Sequence, residues 1–344
     1  MSIFHDLVRF MLSFNMKLQY NDTIMSISKL ICAIPVILLL LISQTAYSSS
    51  DINIVTTIKP LHGLVSAVVA GTNAKATLLI PANKSPHNYN LKPTDMRQLS
   101  RANVIFWTGT DIEAFMYNAL GNPRIADKAI NFSGLSGLTL LPRKALEGVC
   151  PNCKDKNDKH AENMQDIDPH YWLDPHNAIV MIDAISKTLC KLDPENIKIY
   201  TKNSLTAKTR LINLNKELSA RLATVKNVPF LVIHNAYQYL QNRYSLNYLG
   251  AIVVNPGIGL SAKRLQKITA VVKARRPVCI FQEPQINSKV IANIQKQAGY
   301  DLYTATLDPL GVDLANDQES YFMMMHNLAK NIQSCLIKDP DHSN

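Results

Sequence analysis

The sequence lacks the features that would place it in several large classes. Beyond residue 48 no apolar run approaches the roughly 20 residues that a membrane-crossing helix needs. No low-complexity tract and no internal repeat interrupts it, so the composition is that of a globular protein. Lysine and arginine outnumber the acids by 36 to 26, a formal charge of +10. That excess is spread without a basic run or interleaved aromatics, so it reads as solvated surface and gives no footprint for nucleic acid. Also missing are an H-E-x-x-H pair, a serine-centred nucleophile elbow and a G-x-x-x-x-G-K-[ST] loop. These absences weigh against the commonest metallopeptidase, serine-hydrolase and nucleotide-hydrolysing chemistries.

What is present starts with one apolar run, Leu30 to Ile42 (LICAIPVILLLLI), too short to span a bilayer comfortably. Lys29 precedes it, and Ala46-Tyr47-Ser48 offers small residues at the −3 and −1 positions of a cleavage site. Together these predict a signal peptide over residues 1–48, cut after Ser48, and a soluble mature protein. Met25 stands where a start would give a signal of ordinary length, so residues 1–24 read as an upstream extension. Cys32 opens the apolar run instead of following it, which places it badly for a lipid-modified N-terminal cysteine.

Export changes the meaning of the remaining cysteines, because thiols in an oxidising compartment tend to pair. Cys279 lies in Val278-Cys279-Ile280-Phe281, which reads as a buried strand, and Cys335 lies near the end of the last helical pattern. Pairing these two would staple that helix to a core strand. Cys150-Pro151-Asn152-Cys153 would close a tight local disulfide or, with His160, contribute to a metal site. Cys190 reads as a small buried apolar residue on a helix over 177–192. Spacing alone leaves the connectivity open.

Along the chain, β-branched and apolar runs alternate with helical patterns. Strands are expected over 53–58, 76–80 and 104–107. Helices are expected over 61–69 and 95–100, the latter capped by Thr94, and through Phe115 and Leu120. Residues 147–169 are polar and aperiodic, a surface loop. Asp174-Pro175 opens a helix, and Asp193-Pro194 opens a longer one. No Gly or Pro interrupts 195–226, a stretch that spans roughly 48 Å at ~1.5 Å per residue. The rhythm then resumes with strands over 230–233, 250–253, 278–281 and 302–306, and helices over 237–243, 262–275 and 320–335. The expected fold is α/β, two lobes with mostly parallel sheets. The lobes would cover 49–193, including the charged loop, and 227–344, with the helix over 194–226 as a strut.

Three histidines stand out, two of them, His87 and His234, where such a fold exposes its ligand crevice. His87 follows the second strand, His170 follows the charged loop and His234 ends the strand 230–233. Neutral imidazole is the commonest transition-metal ligand, and zinc accepts several at ~2.0–2.1 Å. Asp308, after the last strand, would supply a carboxylate as fourth ligand. His62 reads as a helix-start or surface residue, His176 as a first-turn residue facing away, and His326 and His342 as unpartnered.

The segments IKPLHGLVSAV, SPHNYNLKPTD, HYWLDP, IHNAYQYL, IFQEPQ and TLDPLG, spread from Ile54 to Leu336, resemble the zinc- and manganese-specific cluster of periplasmic solute-binding proteins of ABC transporters. The likeness is to its zinc-uptake, ZnuA-like branch. The resemblance implies two lobes bridged by a rigid helix, with Zn²⁺ as transported ligand in the cleft on His87, His170 and His234. It also implies the Cys279–Cys335 disulfide and a periplasmic monomer serving an inner-membrane ABC permease with its ATPase. Manganese members typically carry a carboxylate at the third position, so His234 points to zinc. The sequence departs from the pattern at Pro86, where some zinc members are acidic, and at Asn235, where an aspartate usually follows the third histidine. In the loop 147–169, often histidine-rich, only His160 remains among several carboxylates.

Other functions fit the same residues. A secreted zinc hydrolase would use the histidines and Asp308 with Glu283 as base, although Glu283 reads better as a structural residue at a strand end. A metal-buffering or adhesion protein, or a manganese receptor of the same fold, would share the site.

Overall fold

The computed structural model describes residues 51–143, 167–253, 261–285 and 289–338. The expected signal peptide, Cys150, Cys153, His160 and His342 lie outside the described residues. Two four-stranded parallel sheets organise the rest. The first contains β1 (Asn53–Thr56), β2 (Lys75–Leu78), β3 (Val104–Trp107) and β4 (Ala129–Asn131) in the order β2-β1-β3-β4. The second contains β5 (Phe230–His234), β6 (Tyr248–Val253), β7 (Cys279–Gln282) and β8 (Tyr303–Thr306) in the order β6-β5-β7-β8. The inner strands β3 and β5 are buried along their whole length. Helices cover both faces of a parallel sheet, which is why these strands read as unbroken apolar runs. β4 escapes sequence reading because three half-buried or exposed residues at a sheet edge show no alternation.

In the first lobe, α1 (Lys59–Val69), α2 (Pro93–Arg101), α3 (Met116–Leu120) and α4 (Pro123–Ala126) connect the strands. α2 begins two residues before the expected start. Pro93 takes its first position and Asp95 Oδ2 accepts the Lys92 N–H at 2.7 Å, so Thr94 lies inside the first turn and is not the cap. α5 (Pro175–Leu192) is capped by Asp174, whose Oδ1 accepts the His176 N–H at 2.9 Å.

The long helix α6 runs over Ile197–Ala223, 27 residues, or about 40 Å. It is shorter than expected because Pro194–Asn196 form a separate 3₁₀ turn and regular helix stops at Ala223. Tyr200, Ser204, Ala207, Leu211, Leu214, Leu218 and Leu222 are buried on it, three or four residues apart and so on one face. Through that face a single core continues from Ile54 of the first sheet to Phe230 and Phe281 of the second.

The second lobe adds α7 (Gln238–Tyr244), α8 (Ala262–Arg275), α9 (Lys289–Ala298) and α10 (Ser320–Leu336). α10 returns to the first lobe. A Cβ at Gly63 of α1 would lie 2.9 Å from Tyr321 N, so the closeness of these helices requires glycine there. Cys279 on β7 is disulfide-bonded to Cys335 on α10, while Cys190 is free and half-buried. No helix among the described residues is long and apolar enough to cross a membrane.

Candidate metal centre

The three histidines arrive from different elements and meet. His87 sits on a 3₁₀ turn, Pro86–Asn88, beyond β2. His170 precedes the 3₁₀ turn Tyr171–Leu173 that leads into α5. His234 is the last residue of β5. Ring centroids are 5.4 Å apart for His87–His170 and 5.0 Å for both His87–His234 and His170–His234. One nitrogen from each ring lies within 4.8 Å of the other two, an arrangement that no other His, Cys, Asp or Glu group of this size shows among the described residues.

Two of the rings are oriented by carboxylates. His170 Nδ1 lies 2.7 Å from Asp168 Oδ1, which also accepts the His170 backbone N–H at 3.0 Å. His234 Nδ1 lies 3.2 Å from both oxygens of Glu283, and Glu283 Oε1 accepts the Tyr237 hydroxyl at 2.8 Å. Occupying Nδ1 in this way leaves Nε2 to face the centre, as carboxylates behind metal-binding histidines do. The Nε2 atoms of His87 and His234 are buried and have no hydrogen-bond partner in the protein. Buried polar atoms in that state call for a partner from outside the chain, and a cation fits a lone pair.

Burial lowers the His87 and His170 pKa values far below the ordinary imidazole value, and the neighbouring His234 lowers both further. His87 and His170 therefore stay neutral, the form that binds metal. Burial pushes Asp168 the other way, up to about 7. Pro86, Ile112, Trp172, Pro309 and Leu310 wall the site. Trp172 is fixed by its indole N–H, which donates to Pro309 O at 3.0 Å. The void they leave measures about 20 Å³, room for one water-sized body.

Asp308, the expected fourth ligand, is not in this group. Its Oδ1 accepts the N–H groups of Leu310 and Gly311 at 3.0 and 2.9 Å, and its Oδ2 accepts that of Val312 at 2.5 Å. Asn235 Oδ1 accepts the Tyr248 hydroxyl at 3.0 Å, and the carboxylate at His234 Nδ1 is that of Glu283. His62 lies on α1 but is buried, with Nδ1 3.2 Å from Thr56 Oγ1, so it is no surface residue. His176 is exposed, and His326 lies 3.6 Å from Glu217 on the surface. Sequence reading missed Asp168 as a supporting group, because it is one of several carboxylates in a charged stretch. The available signal was its position two residues before His170.

A family model described as zinc-uptake complex component A, periplasmic, matches residues 54–335. The chain is 33% identical over 311 residues to the high-affinity zinc uptake system protein ZnuA of Brucella suis, covering 83% of this chain and 92% of that one. It is 31% identical over 306 residues to the Yersinia pestis protein of the same name, covering 86% and 95%. Among solved structures, a zinc-bound deletion mutant of ZnuA matches with a TM-score of 0.69 and 25% identity, covering 85% of this chain and 100% of that one. On the extent of these matches, the chain belongs to the ZnuA family of periplasmic zinc-uptake components.

Proposed function

We propose that the mature chain is the periplasmic receptor of a zinc importer, holding one Zn²⁺ on His87, His170 and His234 and passing it to an inner-membrane ABC permease driven by its ATPase. The observation that carries this reading is the triangle of closely spaced imidazoles with unpartnered, buried Nε2 atoms on His87 and His234. Nitrogen-rich sites suit zinc, whereas manganese prefers oxygen donors. A void of about 20 Å³ admits an ion with at most a water, which favours capture over hydrolysis of an organic substrate. The same reading keeps residues 1–48 as the cleaved signal peptide, a monomeric mature protein, and a division into 49–193, 194–226 and 227–344.

The test is metal content after the purified mature protein is stripped and incubated with equimolar zinc and manganese. One zinc per chain with manganese excluded is expected. Equal retention of manganese would overturn the zinc assignment, and no retained metal would overturn the receptor.

A further inference from the structure

The three histidines leave a tetrahedral ion one donor short, and Asp308 is turned into its own loop. Besides the histidines the cavity is lined by three polar side chains, Ser85, Glu283, which faces His234, and Gln285, which lies just beyond β7 in the Gln282-Glu283-Pro284-Gln285 segment. Its Nε2 donates to Asp308 Oδ1 at 3.3 Å. Its Oε1 is buried and has no hydrogen-bond partner.

The two ends of a carboxamide are hard to tell apart by shape, but chemistry decides here. Asp308 collects N–H donors on both oxygens and serves as an acceptor, so only the NH₂ end of Gln285 can turn toward it. The carbonyl oxygen must then occupy the other end of the amide, unpaired, on a side chain that lines the cavity with His87, His170 and His234. A buried amide oxygen without a partner is costly, and it is a neutral oxygen donor of the kind that completes cation sites.

We propose that Gln285 Oε1 is the fourth donor to the ion held by the three histidines, and that Asp308 acts through Gln285 by holding its NH₂ end. This rests on the receptor reading above. It gives Asp308 a positioning role at the site where a direct bond was expected. It also keeps the donor set neutral apart from the supporting carboxylates.

Cobalt(II), whose visible absorption reports its ligand set, is the probe, alongside calorimetric zinc titration of the full mature chain. Gln285→Ala should shift the cobalt bands and weaken zinc binding by ~10–100-fold, the range for groups that support a site without anchoring it. Gln285→Met keeps length without the donor and should behave the same, which separates donor loss from loss of packing. Asp308→Asn added to Gln285→Ala should change the cobalt spectrum no further, because its effect passes through an amide already gone. Superimposable spectra and unchanged zinc affinity in both Gln285 variants would overturn the proposal. A further spectral shift on adding Asp308→Asn would overturn it in favour of Asp308 as the direct ligand. Wild-type chain that takes up no cobalt or zinc would instead sink the receptor reading itself.

Discussion

The strand order reverses at the same place in both sheets, and a buried glutamate stands at each reversal. In the first, Glu113 Oε1 accepts the hydroxyls of Thr57 at 2.7 Å and Thr108 at 2.6 Å, and Oε2 accepts the Thr108 N–H at 3.2 Å. Those threonines immediately follow β1 and β3, so the gap between the strand ends is plugged by a closed local network. In the second, Glu283 follows β7 and faces His234 at the end of β5. Such reversals are where open α/β sheets bind ligands, yet only the second offers an imidazole there. The first lobe sends His87 and His170 in from loops. One lobe thus presents an imidazole from a strand end, and the other presents two from loops.

The strongest test of this division of labour is removal of single ligands. His87→Ala, His170→Ala and His234→Ala should each weaken zinc binding ~10²–10³-fold, one ligand's share of the ~10–16 kcal/mol typical of four-ligand zinc sites. Calorimetry on the three variants checks it. If His234→Ala retains near-wild-type affinity while the loop histidines do not, the strand end is no anchor and the contrast between lobes collapses.

The second lobe also differs in its covalent staple. Cys279 and Cys335 are 56 residues apart, and opening a loop of that length costs at most about 4 kcal/mol in the chain-entropy picture, often less. Denaturant titration of reduced and oxidised protein should show that loss. Zinc affinity should survive reduction, since neither sulfur lies in the histidine group. Free thiols at both positions in protein taken from the periplasm would remove the staple from the account.

The two glutamates can be exchanged for glutamine. Glu283→Gln loses the charge that supports His234 and should weaken zinc ~10–100-fold. Glu113→Gln should leave zinc affinity unchanged and instead lower stability by ~1–2 kcal/mol, because its hydrogen-bond network is disturbed. Equal effects of the two variants on zinc would mean that the first reversal reaches the site after all.

How much of this was legible follows from the physics of each residue. His87, His170 and His234 stood out because strand ends and prolines place them, and the inner strands because burial on both faces leaves Val104–Trp107 and Phe230–Ile233 wholly apolar. The sheet-edge strand at Ala129–Asn131, and the roles of Asp168, Glu283 and Asp308, were not legible. A carboxylate's role depends on which way it turns, and that is set by contacts such as Asp308 with the N–H groups of Leu310, Gly311 and Val312.

Protons should compete with zinc through the first lobe. The Asp168 carboxyl is pushed up to about 7, so below that pH the metal-free pair of Asp168 and His170 retains a proton. Zinc needs the His170 Nε2 lone pair, with the ring proton on Nδ1 facing an ionised Asp168. Binding therefore expels one proton, and affinity should rise up to tenfold per pH unit below about 7 and level off above it. His87 and His170 add little to this slope near neutrality, because burial depresses their pKa values and they are already neutral. Titrations in buffers of different ionisation enthalpy measure the released proton. Asp168→Asn should flatten the profile, and an unchanged slope in that variant would exonerate Asp168.

The smallest expected effect comes from the charged loop, with one lobe again carrying what the other lacks. Its sequence holds one histidine, His160, among Asp155, Asp158, Glu162 and Asp166, and ordering a segment around zinc costs conformational entropy that so few strong ligands offset poorly. The deletion must stop short of Ile167, which bridges to Pro142, and of Asp168, which orients His170. Removing 147–165 on that basis should leave one zinc per chain and an unchanged cleft affinity. An oxidised Cys150–Cys153 pair adds nothing, since zinc binds thiolates. A second equivalent of zinc in native, oxidised protein that vanishes with the deletion would make His160 and its acidic neighbours a gathering site. The first lobe would then feed the cleft as well as line it.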